Sequence, residues 1–139
     1  FTNGAYNTTH SDLSGPQGGY GTFSVQYAKL RRAAILNEEA ALKSTSWGAF
    51  QIMGFNHVDA GYATVGAFVD AMIGSQSNQL KAFVSFVGAN NSMKKAIIAK
   101  DWATFARLYN GPDYAKNNYD TKMKNEYDRL VRAAKATNS

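Results

Sequence analysis

The chain has 139 residues, 45% of them apolar, which is room for one domain built on a single core. It carries no cysteine and only two, widely separated histidines, His10 and His57, so a disulfide framework and a thiolate metal site are excluded and no metal or other cofactor is expected. The formal charge of +5 favours polyanions in general, but Lys and Arg are scattered and, near the end, mixed with acids, so nucleic acid is not expected as a partner. No run approaches about eighteen apolar residues, which excludes a transmembrane helix, and the polar start Phe1-Thr2-Asn3-Gly4 is not a signal peptide.

Residues 1–22, rich in Gly, Asn, Thr and Ser, read as an irregular N-terminal arm. Helical periodicity begins at Thr22, with Phe23, Val25, Tyr27, Leu30, Ala34 and Ile35 on one side and Arg31 and Arg32 on another. Asn37 is placed to cap a short helix over Glu38 to Lys43, whose two acids suit a helix N-terminus. Ser46 is placed to cap a very short helix from Trp47 to Met53, ended by Gly54. Asn56 can cap a further turn reaching Gly61, and Val65 to Ile73 reads as a helix stopped by Gly74. The segment after Ser75 is the most apolar, and Leu80, Phe83, Val84, Phe86 and Val87 form a stripe wide enough for a central buried helix. Two helices follow over Ser92 to Ala99 and Asp101 to Tyr109, the second capped by Asp101 and stopped by Asn110-Gly111-Pro112. A last amphipathic helix is expected from about Asp113 to Ala134. With no alternating strand and no linker, the fold class is all-α, a compact single domain over residues 23–139 behind the 1–22 arm.

Two segments carry more chemistry than the rest: Ser44 to Gly54, STSWGAFQIMG, and Tyr109-Asn110-Gly111-Pro112. An amide and a phenol hydrogen-bond acetamido and hydroxyl groups, and aromatic faces stack on sugar rings. Against this, Trp47, Phe50, Ile52 and Met53 have the spacing of core residues, and Asn-Gly-Pro is an ordinary helix end. His57 has no Ser or Cys nucleophile with a partner acid, so a triad is not supported.

Both segments resemble the cleft-lining signatures of lysozyme-like peptidoglycan hydrolases, and ALKSTSWGAFQIMGFN is similar to the N-acetylmuramidase family of phage and prophage endolysins. The similarity extends through Gly18-Gly19-Tyr20, Tyr27-Ala28-Lys29-Leu30, Gln79-Leu80 with Phe83-Val84, Asp101-Trp102 with Phe105-Ala106-Arg107, and Tyr114-Ala115-Lys116 with Tyr119-Asp120. The resemblance implies a lysozyme-like helical domain and bacterial peptidoglycan as partner. It further implies action at the cell wall, in the periplasm after release from the host cytoplasm, on the MurNAc–GlcNAc β-1,4 bond. It places Trp47, Gln51, Tyr109 and Asn110 against substrate.

Such cleavage needs a carboxylic acid held protonated near neutral pH. The family's glutamate belongs to an earlier Glu-Ser-Gly-type segment, which this chain is expected to begin beyond; Glu38, Glu39 and Asp113 are the substitutes within it, each also explained as a helix-end charge. A non-catalytic glycan-binding module and a lytic transglycosylase remain the alternative readings.

Overall fold

The computed structural model describes residues 6–13 and 21–137. The chain divides into two compact units, the first ending at Phe86 and the second starting at Val87. Of the arm expected over 1–22, residues 1–5 and 14–20 lie outside the described residues. Residues 6–13 form turns in which the His10 N–H donates to the Tyr6 carbonyl at 2.8 Å, and Asp12 pairs with Arg32 at 2.6 Å.

Helix α1 (Phe23–Lys43) is two helical pieces meeting at Asn37, whose φ of −163° and ψ of 102° are extended. The Asn37 Oδ1 accepts the Ala40 N–H at 2.9 Å, so the expected cap starts the short second piece. Ala33 and Ala41 of α1 are buried and Leu42 packs on the core, while Tyr27 and Ile35 of the apolar stripe are exposed.

The next segment departs from expectation. Instead of a Trp47 to Met53 helix capped by Ser46, strands β1 (Ser46–Trp47) and β2 (Ile52–Met53) pair antiparallel, with Ser46 opposite Met53 and Trp47 opposite Ile52. Two residues of the connecting loop decide the matter, because Gly48 (φ 71°) and Gln51 (φ 54°) sit in the left-handed region that an α-helix cannot contain.

A 3-10 turn (Gly54–Asn56) leads by further turns to α2 (Val65–Gly74), where the Thr64 hydroxyl accepts the Ala67 N–H at 3.2 Å. Helix α3 (Gln76–Ala89) starts with the Ser75 hydroxyl accepting the Asn78 N–H at 3.1 Å. The core gathers on α2: Phe68 is fully buried, with Val65, Val69 and Met72 of the same helix, Ile52 of the hairpin, Ala60, and Ala82 of α3. The stripe expected to make α3 the central helix is therefore only partly buried. Leu80 is 53% and Val84 61% exposed, and polar Gln79, Lys81 and Ser85 interrupt the apolar face.

The second unit holds α4 (Asn91–Ala99), α5 (Trp102–Asn110), a 3-10 segment (Pro112–Asn117) and α6 (Tyr119–Thr137). The Asn90 Oδ1 accepts the N–H groups of Ser92 and Met93, both at 3.0 Å. The Asp101 Oδ1 accepts that of Thr104 at 3.1 Å, as its position before α5 predicts. Met93, Ala96, Phe105 and Ala106 form the interior. Helix α6 starts at Tyr119 rather than Asp113, because Asn118 adopts φ 52° between the 3-10 segment and the helix. The Trp102 and Tyr127 rings meet at 5.3 Å, and the Lys100 ammonium lies 5.1 Å from the Tyr127 ring centre. Among the described residues no helix is long and apolar enough to cross a membrane.

Candidate functional site

Trp47 ends β1 and Gln51 closes the tight loop that follows it, and this loop is held at four places. The Trp47 Nε1–H donates to the Leu42 carbonyl at 3.0 Å, anchoring the indole to the last turn of α1 while its ring packs on the core. Trp47 is thus partly a structural residue, as the core reading of its spacing anticipates. Phe50, at the loop tip, stacks on Phe83 of α3 with ring centres 4.4 Å apart and planes 18° from parallel. The Gln79 Oε1 accepts the Ala49 N–H at 3.0 Å, while the Gln79 Nε2–H donates to the Met72 carbonyl at 2.7 Å. Gln51 itself turns back: its Nε2–H donates to the Gly48 carbonyl at 2.9 Å and its Oε1 accepts the Ser46 hydroxyl at 2.8 Å.

Glycine is required at two points here. A methyl group on Gly48 would sit 3.2 Å from the Gln79 side chain and from the Met72 sulfur, besides straining the positive φ. One on Gly54 would overlap the Leu42 carbonyl oxygen, so α1 and the hairpin meet backbone to backbone at this glycine.

Gln51 is an exposed residue. Each of its side-chain polar atoms has one partner and keeps a further hydrogen-bonding position, a second N–H on nitrogen and a second lone pair on oxygen. The loop therefore offers a fixed amide to a ligand, beside aromatic surface.

Tyr109 and Asn110 close α5 in the second unit. Tyr109 is half-buried and stacks on Phe105 with ring centres 5.8 Å apart; burial pushes its phenol up to about 12. It is therefore a neutral O–H donor throughout the physiological range. Asn110 is exposed, and the helix stops behind it because Gly111 takes φ 83° while its N–H still reaches the Arg107 carbonyl at 3.0 Å.

Of the substitute acids, Glu38 is exposed in the short piece of α1. Glu39 pairs with Lys43 at 2.6 Å, and the hydrogen bond from that ammonium holds its carboxyl below the usual range. Asp113 pairs with Lys116 at 2.9 Å with both side chains about three-quarters exposed. A general acid needs the opposite environment, apolar and without a neighbouring cation. His57 is spent locally, its Nδ1 lying 3.0 Å from the Gly54 carbonyl. Among the described residues no three His, Asp or Glu side chains cluster as a metal site would require.

The sequence left Gln79 of α3 without a role and gave Ser46 a different one, as a helix cap, whereas its hydroxyl donates to Gln51.

The N-acetylmuramidase family model matches residues 2–131. Comparison with curated proteins finds no match. Among solved structures, the crystal structure of an endolysin from the Burkholderia phage AP3 is 47% identical with a TM-score of 0.86, the match covering 92% of this chain and 50% of that one. The chain thus spans half the length of that endolysin.

Proposed function

The chain belongs to the N-acetylmuramidase family, and from that membership we propose that it serves peptidoglycan hydrolysis, at the β-1,4 bond between N-acetylmuramic acid and N-acetylglucosamine. The family match over nearly the whole chain carries the reading; the Gly48–Gln51 loop and the end of α5 give it a chemical basis. Gln51 offers an amide to the acetamido groups of the glycan, and Tyr109 and Asn110 offer a neutral phenol and a second amide to its hydroxyls. Trp47 supplies aromatic surface at the base of the loop. The net positive charge favours approach to the anionic bacterial envelope, where the protein acts once it leaves the host cytoplasm.

Digestion of purified sacculi, with released sugars identified by mass spectrometry, tests the reading. Soluble fragments with new reducing MurNAc ends are expected, whereas 1,6-anhydro ends would make the protein a lytic transglycosylase. A second reading, a glycan-binding module without turnover, is favoured by one observation: Glu39 and Asp113 are engaged by lysines in water-exposed positions, which suits charge pairing and not proton donation. Retention on sacculi without new sugar ends would carry that reading instead.

A further inference from the structure

The Gln79 side chain ties the glycan-facing loop to both helices beneath it. It sits in the first turn of α3, and its Nε2–H donates to the Met72 carbonyl at 2.7 Å. Met72 lies in the last turn of α2, where carbonyls have no partner within their own helix. From that fixed end its Oε1 reaches the loop and accepts the Ala49 N–H at 3.0 Å. The same amide closes the space over Gly48, at 3.2 Å from where a methyl would stand, so the Gly48 peptide is held on both sides. Gly48 in turn presents the carbonyl that receives the Gln51 Nε2–H at 2.9 Å. One chain of amides therefore runs from the end of α2 through Gln79 and the 48–49 peptide to Gln51.

We infer that Gln79 is a positioning residue for glycan recognition, fixing the 48–51 loop so that the Gln51 amide faces the acetamido groups of the sugar. The inference rests on the glycan-binding reading of the loop. Gln51 needs such support because its own backbone is strained at φ 54°, and a loop released from Ala49 relaxes towards conformations that turn the amide away. The role asks for a side chain that donates and accepts at once, at this length: glutamine does so, glutamate does so only when protonated, and methionine cannot donate and accepts only weakly.

The test compares Gln79→Met, Gln79→Glu and Gln51→Ala with the unaltered protein. Amide exchange at Ala49 is read by NMR, and affinity is read with chitotetraose, a neutral probe whose charge does not change with pH. Gln79→Met is expected to keep the helical circular dichroism, to raise the Ala49 exchange rate by at least about tenfold, and to weaken chitotetraose about tenfold. Gln79→Glu is expected to recover both properties at acid pH and lose them when its carboxyl ionises, a profile that plain loss of packing does not produce. Should Gln79→Met not fold, this pH comparison carries the test alone.

Wild-type exchange at Ala49 in Gln79→Met overturns the proposal. So does faster exchange with unchanged affinity while Gln51→Ala binds weakly, a pattern that spares the glycan-binding reading. Unchanged affinity in both Gln51→Ala and Gln79→Met removes that reading and the proposal with it.

Discussion

At the scale of single residues, backbone conformation decides more than side-chain type. Gly48 is fixed by its φ of 71° and by two close neighbours, Gln79 and Met72, so Gly48→Ala is expected to cost about 1–3 kcal/mol in urea unfolding. Tyr109 makes a prediction in the alkaline range. Burial favours its neutral form, raising the phenol from 10.0 to about 12, so both folded and unfolded chains are protonated below pH 10 and this residue adds no slope there. Between those values the unfolded chain ionises first, and stability falls as pH rises. Stability measured across that window should fall less in Tyr109→Phe than in the parent, and ultraviolet titration should show one phenol ionising near 12. The residues singled out for chemistry were legible as types, since amide, phenol and indole stand together in two short strings. What the string could not show is that Gln51 is left-handed and bonded to its own loop, because a positive φ at glutamine has no signature in composition.

At the scale of elements, caps were the most readable feature. Asn37 and Asp101 each stand one residue before their helices and each accepts the N–H three positions on, which is what short polar side chains do at that place. Asn37→Ala should therefore cost about 1 kcal/mol by thermal unfolding, with loss of the break in α1. Periodicity was less reliable over short spans. Trp47, Phe50 and Met53 repeat every three residues, as on a helix, yet they belong to a hairpin, and seven residues cannot distinguish the two periods. The prominence of α3 failed for a related reason: hydrophobic content does not say which neighbour arrives to cover it, and α2, shorter but bounded by the hairpin and the Ala60 turn, takes the centre. Alanines Ala33 and Ala41 are the buried residues of α1, and its last turn meets the backbone of Gly54 at the Leu42 carbonyl.

At the scale of the molecule, charge divides with the units. Up to Phe86 the chain has five Lys and Arg against five Asp and Glu, and from Val87 it has ten against five, so the whole positive excess belongs to the second unit. Attraction to an anionic wall should then be screened by salt and carried by that part of the chain. Replacing the exposed Lys94 and Lys95 of α4 by Gln is expected to weaken retention on sacculi about two- to fivefold at low salt and hardly at all at about 1 M; equal loss at both salts would contradict it. The all-α class was legible from helical periodicity and the absence of alternating segments. The proton donor was not, since its identity depends on which carboxyl is removed from water and cations. Recognition and cleavage of peptidoglycan glycan is the function proposed for this chain, and incubation with sacculi is its test. The protein is expected to be retained, chitotetraose to compete it off, and new reducing MurNAc ends to appear; a protein that stays in solution and leaves the sugar ends unchanged rules this function out.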